Sequence, residues 1–287
     1  MSVPQPETAP GEPWPRPGTP GPAPSWTRLY GRLLTVSLRA QWQYPADFLI
    51  GAATTVLLSA TEIAGFAVIL WRFHHIGGWG PAEIALLYGL TRGAYAVHRL
   101  GAGDLHRAGA YVQSGEYDSL LLRPCPPLFA LLARSGRIQQ LAALITPMTA
   151  AGIAIAHLWS SGVLRVWSAA CLPLVFLCAV AMDYAVGIAT FAFAFWLVRV
   201  DEFSVLTVDA PNTAASFPLT AYPAWLRWYL SSAIPVGVCV FFPLRFLLGR
   251  GGGWIDLAMA PPAAAAALAG ALWLWRRGES RYMGTGT

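Results

Sequence analysis

Gly115-Glu116-Tyr117-Asp118-Ser119-Leu120-Leu121-Leu122-Arg123-Pro124-Cys125-Pro126-Pro127 is the stretch around which the rest of the chain is organised. Gly115 can break the segment before it, and Pro124, Pro126 and Pro127 forbid a helix from continuing. Between these stops there is room for one or two helical turns. Tyr117, Leu120 and Leu121 are expected on one face, with Glu116 and Asp118 beside them. A leucine-rich helix of that length cannot bury itself, so it needs a partner or a membrane surface.

The surroundings decide between settings. Of the 287 residues, 56% are hydrophobic and only 11% charged, whereas a soluble domain carries about 25% charged residues. The chain is therefore read as an integral membrane protein. All 19 basic residues are arginine. Without lysine there can be no phosphate-binding Walker A loop and no lysine Schiff base. Any ATP-driven step must use another polypeptide, so the chain itself is read as a non-enzyme without its own cofactor. The net charge of +5 reflects arginines that flank apolar spans and does not point to nucleic acid. The arginine, alanine, glycine and proline bias fits a GC-rich bacterial genome.

Working outward, residues 1–25 hold nine prolines and three glycines and read as a disordered tail. No basic segment there feeds an apolar one, so the first span is expected to be its own insertion signal. Residues 26–44 read as an interfacial amphipathic helix, with Arg28, Arg32 and Arg39 on one face and Trp26, Tyr30, Leu33, Leu34 and Leu38 on the other. Spans are expected at about 46–71, 82–100, 138–159, 166–198 and 255–275, each matched to about 30 Å of hydrocarbon. The second contains Gly89-Leu90-Thr91-Arg92-Gly93, a Gly-x-x-x-Gly spacing that permits close helix approach. Residues 101–137 are the loop carrying the opening stretch, and 278–287 a second tail. By hydrophobicity alone, 224–249 is the best fifth span; 203–221, containing Asp209 and Pro211, is the other option.

With both termini cytosolic, thirteen arginines lie inside, five outside, and Arg92 within a span. This positive-inside bias gives six spans with both termini in the cytosol.

The pattern Gly-Glu-x-Asp-x-x-Leu-Leu-Arg-Pro between the second and third spans resembles the signature of a family of ABC transporter permeases in the type-2 exporter superfamily. The hydrophobic layout extends the resemblance over about 26–277. It implies an all-α polytopic permease whose residues Gly115, Glu116, Tyr117, Asp118, Leu120, Leu121, Leu122, Arg123 and Pro124 couple it to a separate ATP-binding subunit. That partner binds ATP and magnesium, and the leucines fill a groove on it. The resemblance also implies a second permease copy (identical or different), a bacterial inner membrane, and export of drug-like, antibiotic or other amphipathic or cationic compounds. Finally, it favours 203–221 as the fifth span and makes 222–250, with Tyr222-Pro223 and the later Pro235 and Pro243, a re-entrant hairpin in the outer leaflet. The alternatives are a secondary transporter and a membrane anchor or sensor that recruits an ATPase.

Ionisable groups within spans are functional candidates, because burying them is costly. Glu62 and Arg92 lie at matching depths on successive spans and are expected to form an intramembrane ion pair. Asp183, Asp209, Phe195 and Trp196 are assigned to a substrate path. His74, His75, His98 and His106 fall on different sides of the membrane, so no metal centre is expected. Cys125, Cys171, Cys178 and Cys239 lack metal or redox spacing and read as small buried apolar residues.

Overall fold

The computed structural model describes residues 45–73, 75–103, 105, 108–122, 125–134, 139–196 and 201–282. The expected N-terminal tail and interfacial helix, Arg123, Pro124, His74 and His106 lie outside them. Most of the described residues are helical and no strand occurs among them, so the chain is an all-α polytopic membrane protein.

Helix α1 (Pro45–Arg72) is followed by α2 (Pro81–Ala102). Three short helices come next: α3 (Ala108–Gln113), α4 (Glu116–Leu121) and α5 (Pro127–Arg134). Two long helices, α6 (Gln139–Ser160) and α7 (Val166–Phe193), complete the first half. Beyond residue 200 the backbone is broken repeatedly, and it ends in α14 (Ala260–Glu279). Helical segments at 49–69, 141–160, 166–193 and 254–279 are long and apolar enough to cross a membrane. Helix α2 spans 22 residues, about 33 Å at 1.5 Å each, but Glu83, Arg92 and Arg99 make it more polar.

Proline chemistry accounts for the breaks. From Asp201 the chain runs through α8 (Asp201–Ser204), a π-helical turn (Val205–Asp209) and α9 (Ala210–Ala215). Pro211 has no N–H to donate and its ring crowds the preceding turn, so the turn widens and the Ala210 amide bonds back to the Val205 carbonyl. In that register the Leu206 carbonyl would face the missing proline N–H. The Tyr229 hydroxyl donates to it at 2.8 Å instead. The fifteen residues from Asp201 to Ala215 reach only about 22 Å, and Ser216 to Pro218 then turn away from the axis.

A second π-helical turn, Tyr229–Ala233, follows α10 (Ala224–Trp228) and precedes Pro235. There the stretches 224–232 and 236–247 meet at a bend of 72°. The second of them contains α11 (Val236–Cys239) and α12 (Phe241–Leu247), and the short α13 (Trp254–Ala258) then leads into α14. Neither 203–221 nor 224–249 is therefore one continuous helix. Among the described residues, counting the bent pair as one span makes five membrane-crossing candidates instead of four, where six were expected along the chain.

One apolar core joins α2, α6 and α7 to the bent segment, and a second joins α4, α5, the C-terminal part of α7 and α14. In the first, a Cβ on Gly89 would lie 2.6 Å from the Ala151 Cβ and 2.7 Å from the Pro147 carbonyl. Gly93 likewise meets Met148 and Phe176. The glycine spacing thus sets how closely α2 lies on α6. Because the atoms facing Gly89 include backbone, Gly89→Ala is expected to force the helices apart and lower stability by about 1–3 kcal/mol. Thermal unfolding of the detergent-solubilised chain measures this.

Candidate functional site

Two places carry unusual chemistry: the short helix α4, and a polar layer inside the helix bundle.

Helix α4 begins at Gly115, whose φ of 72° is left-handed and favours glycine. That kink separates α3 from α4 and lets α4 turn its own face inward. Tyr117 and Leu120 are fully buried in the second core. The Tyr117 ring makes edge contacts with Tyr282 (5.0 Å between centroids), Phe195 (5.2 Å) and Trp275 (6.2 Å), geometries that aromatic pairs prefer. Burial raises the Tyr117 hydroxyl well above the usual tyrosine range, and the nearby Glu279 carboxylate acts in the same direction. The Tyr282 hydroxyl is raised by burial and, beyond that, by Asp118. The helix is thereby locked to the last turn of α14.

The outward side is different. Leu121 is 45% exposed and Leu122 89% exposed, with Glu116 and Ser119 also exposed. Leu120 was expected among the leucines facing a partner and on the same face as Leu121. Instead it points into the bundle, because α5, α7 and α14 offer an apolar socket there. Phe195, assigned to a substrate path, packs against this same cluster, edge-on to Tyr117, Phe191 and Trp275. Trp196 lies against Phe193 and Gly278. Both sit at the α4 end of α7, more than ten residues or about 15 Å along the axis from Asp183, so the structure does not bring them to it.

The polar layer lies deeper. Arg92 meets Glu62 through two contacts, Nε to Oε1 at 2.7 Å and Nη2 to Oε2 at 3.0 Å. This fork-to-fork geometry fixes direction as well as charge, and it bridges α1 to α2. One helical turn on, the Tyr95 hydroxyl donates to the Asp209 carboxylate. Asp183 is buried, and the Asn212 side-chain amide donates to it at 3.0 Å. The same amide donates to the Val208 carbonyl at 3.2 Å. The Thr190 and Thr207 hydroxyls share a bond of 2.8 Å. The two sequence-identified acids, Asp183 and Asp209, are thus tied by α2 and α9 into the seam between α2, α7 and the proline-broken segment.

Asn212 and Tyr95 were missed by sequence reasoning. A polar residue within a turn of Pro211 was the available signal, since π-turns are frequent at functional sites. Asn212→Ala would leave Asp183 buried without its amide donor, at a cost of about 1–3 kcal/mol. Asn212→Asp is expected to be worse, because it sets two carboxyls together. Thermal unfolding of both variants checks the order. His98 packs against Gly187 and edge-on to Tyr184, inside the bundle.

In comparisons with known proteins, the model of a family described as ABC-2 family transporter protein matches residues 56–286. No curated protein and no solved structure matches the chain.

Proposed function

With the chain belonging to the ABC-2 family of transporter proteins, and hence a permease component of an ABC transporter, we propose that it is an exporter subunit driven through α4. The observation that carries this reading is the two-sidedness of α4. Its inner side is anchored by Tyr117 and Leu120, and its outer side presents Leu121 and Leu122. A short amphipathic helix with an unpartnered leucine edge suits a groove on a second protein. That protein is the separate ATP-binding subunit, which holds ATP and magnesium and carries out the hydrolysis that a lysine-free chain cannot support through a Walker A loop.

The mechanism is conformational. Closure of two ATP-binding subunits moves α4, and the aromatic cluster passes that motion to α7 and α14. Two permease copies, alike or different, then alternate between inward-open and outward-open states. The arginine asymmetry supports placing both termini and α4 on the ATP side of the membrane, and the arginine, alanine, glycine and proline bias supports a bacterial inner membrane. Glu116, exposed on the outer side, and Arg123 orient the docking by charge. The cargo class is amphipathic or cationic drug-like compounds, with Asp183 and Asp209 the polar groups in the bundle.

Direction and driving force are tested together in inverted vesicles containing the chain and its ATP-binding subunit. ATP-dependent uptake of a lipophilic cationic dye is expected. Uptake that is independent of ATP, or dye accumulation only in right-side-out vesicles, contradicts export by this route.

A further inference from the structure

Helix α1 packs along α6 and reaches α2 through the Phe66–Tyr88 ring contact (4.4 Å) and the Glu62–Arg92 pair. Beside that bridge, the space between the three helices stays open as a pocket of about 210 Å³. Its lining is polar for a site at membrane depth: Thr55, Ser59, Glu62, Arg92, Tyr95 and Arg99. At about 30 Å³ per water, the volume admits a phosphate-sized group with some hydration.

The charges do not cancel within the lining. Glu62 is the only acid there, and both of its oxygens are taken by Arg92. Asp209 lies outside the lining and takes the Tyr95 hydroxyl. Arg99 remains. Among the described residues no carboxylate is within ion-pair distance of it, and its guanidinium sits 6.0 Å from the Tyr95 ring centroid. It is half-buried, three residues or about 5 Å from the end of α2 that leads to α3 and α4. Leu58, Ala143 and Pro147 give the lining an apolar wall. Much of α1 beyond the pocket exposes large apolar side chains, among them Ile50, Val56 and Leu57.

We infer that this pocket binds the anionic phosphate headgroup of a membrane lipid, with Arg99 meeting the charge and the acyl chains lying along α1. A half-buried cation with an apolar wall on one side and lipid on the other calls for an amphiphilic anion. Basic pockets between membrane helices near the cytoplasmic face bind acidic headgroups on this principle. The lipid would be a resident ligand distinct from the cargo, so this inference does not depend on the direction of transport.

The test is native mass spectrometry of the full-length, detergent-solubilised chain titrated with dioleoyl-phosphatidylglycerol or dioleoyl-phosphatidylcholine. Retention of the anionic lipid is expected to exceed that of the zwitterionic one about fivefold, the effect of one arginine near an acidic headgroup. Arg99→Gln is expected to abolish that preference and Arg99→Lys to keep most of it. Arg250→Gln, whose arginine pairs with Glu83 at the opposite end of α2, should leave it unchanged. Thermal unfolding alongside separates a lost site from a lost fold, and Arg99→Lys provides the folded comparison if Arg99→Gln is unstable. Equal retention of both lipids, or a preference that survives in folded Arg99→Gln, overturns the proposal. So does displacement of the bound lipid by millimolar inorganic phosphate, which would mark the pocket as a site for a soluble anion.

Discussion

Leu122→Asp is expected to weaken binding of the ATP-binding subunit by about ten- to a hundredfold while leaving the permease folded. Leu122 is 89% exposed in the isolated chain, so nearly its whole side chain is available for burial at a partner. Burying a leucine is worth about 1.5–3 kcal/mol, and each 1.4 kcal/mol is a factor of ten in affinity. A carboxylate in its place loses that term and adds a desolvation cost in the groove. Leu120→Asp provides the contrast. Leu120 is fully buried, and removing such a leucine costs about 2–5 kcal/mol even without introducing a charge. That variant should therefore lose thermal stability first and partner binding only as a consequence. Solution binding of the purified subunits, read beside the unfolding temperature of each variant, distinguishes the two. Equal binding by Leu122→Asp and the unmutated chain would remove α4 from the interface.

Tyr117→Ala carries the second large effect, and it separates docking from transmission. The Tyr117 ring is the hub at which α4 meets Phe195, Trp275 and Tyr282. Emptying a large buried aromatic site costs about 3–5 kcal/mol. The loss falls on the contacts of α4 with α7 and α14, while Leu121 and Leu122 remain available outside. Hydrogen exchange over residues 116–121 is expected to speed up sharply. The ATP-binding subunit should still co-purify, but its ATPase rate should no longer respond to transported compound. Tyr117→Phe keeps the ring and is expected to retain most of the response. A Tyr117→Ala complex that still couples cargo to hydrolysis would show that the aromatic cluster is only packing.

The general class of the fold was legible in the chain because hydrocarbon thickness leaves few options for long apolar stretches. Composition excluded a soluble domain, and the absence of lysine excluded a resident Walker A loop. Equal depth on successive spans made Glu62 and Arg92 a pair to look for. What could not be read was which way α4 faces. Leu120, Leu121 and Leu122 are consecutive, so periodicity over six residues cannot say which one is buried. The socket that selects Leu120 comes from α5, α7 and α14, the last of which lies well over a hundred residues away. The packing of Phe195 and Trp196 beside α4, away from Asp183, was hidden for a related reason, since an aromatic run looks alike whether it lines a path or fills a joint. Pro211 and Pro235 marked the broken region, but the π-turns and the rescue of the Leu206 carbonyl by Tyr229 depend on tertiary neighbours. Asn212 became visible only once that turn had placed it against Asp183.

Photo-crosslinking from position 122 tests the central claim most directly. With benzoylphenylalanine in place of Leu122 in the membrane-embedded chain, irradiation is expected to join it covalently to an ATP-binding protein identified by mass spectrometry, with a yield that changes when nucleotide is added. The same probe at the buried position 120 should crosslink within the permease. Crosslinks from 122 to lipid alone, in a preparation where the ATP-binding subunit is present and active, would contradict the assignment of α4 as the surface through which ATP hydrolysis drives this transporter.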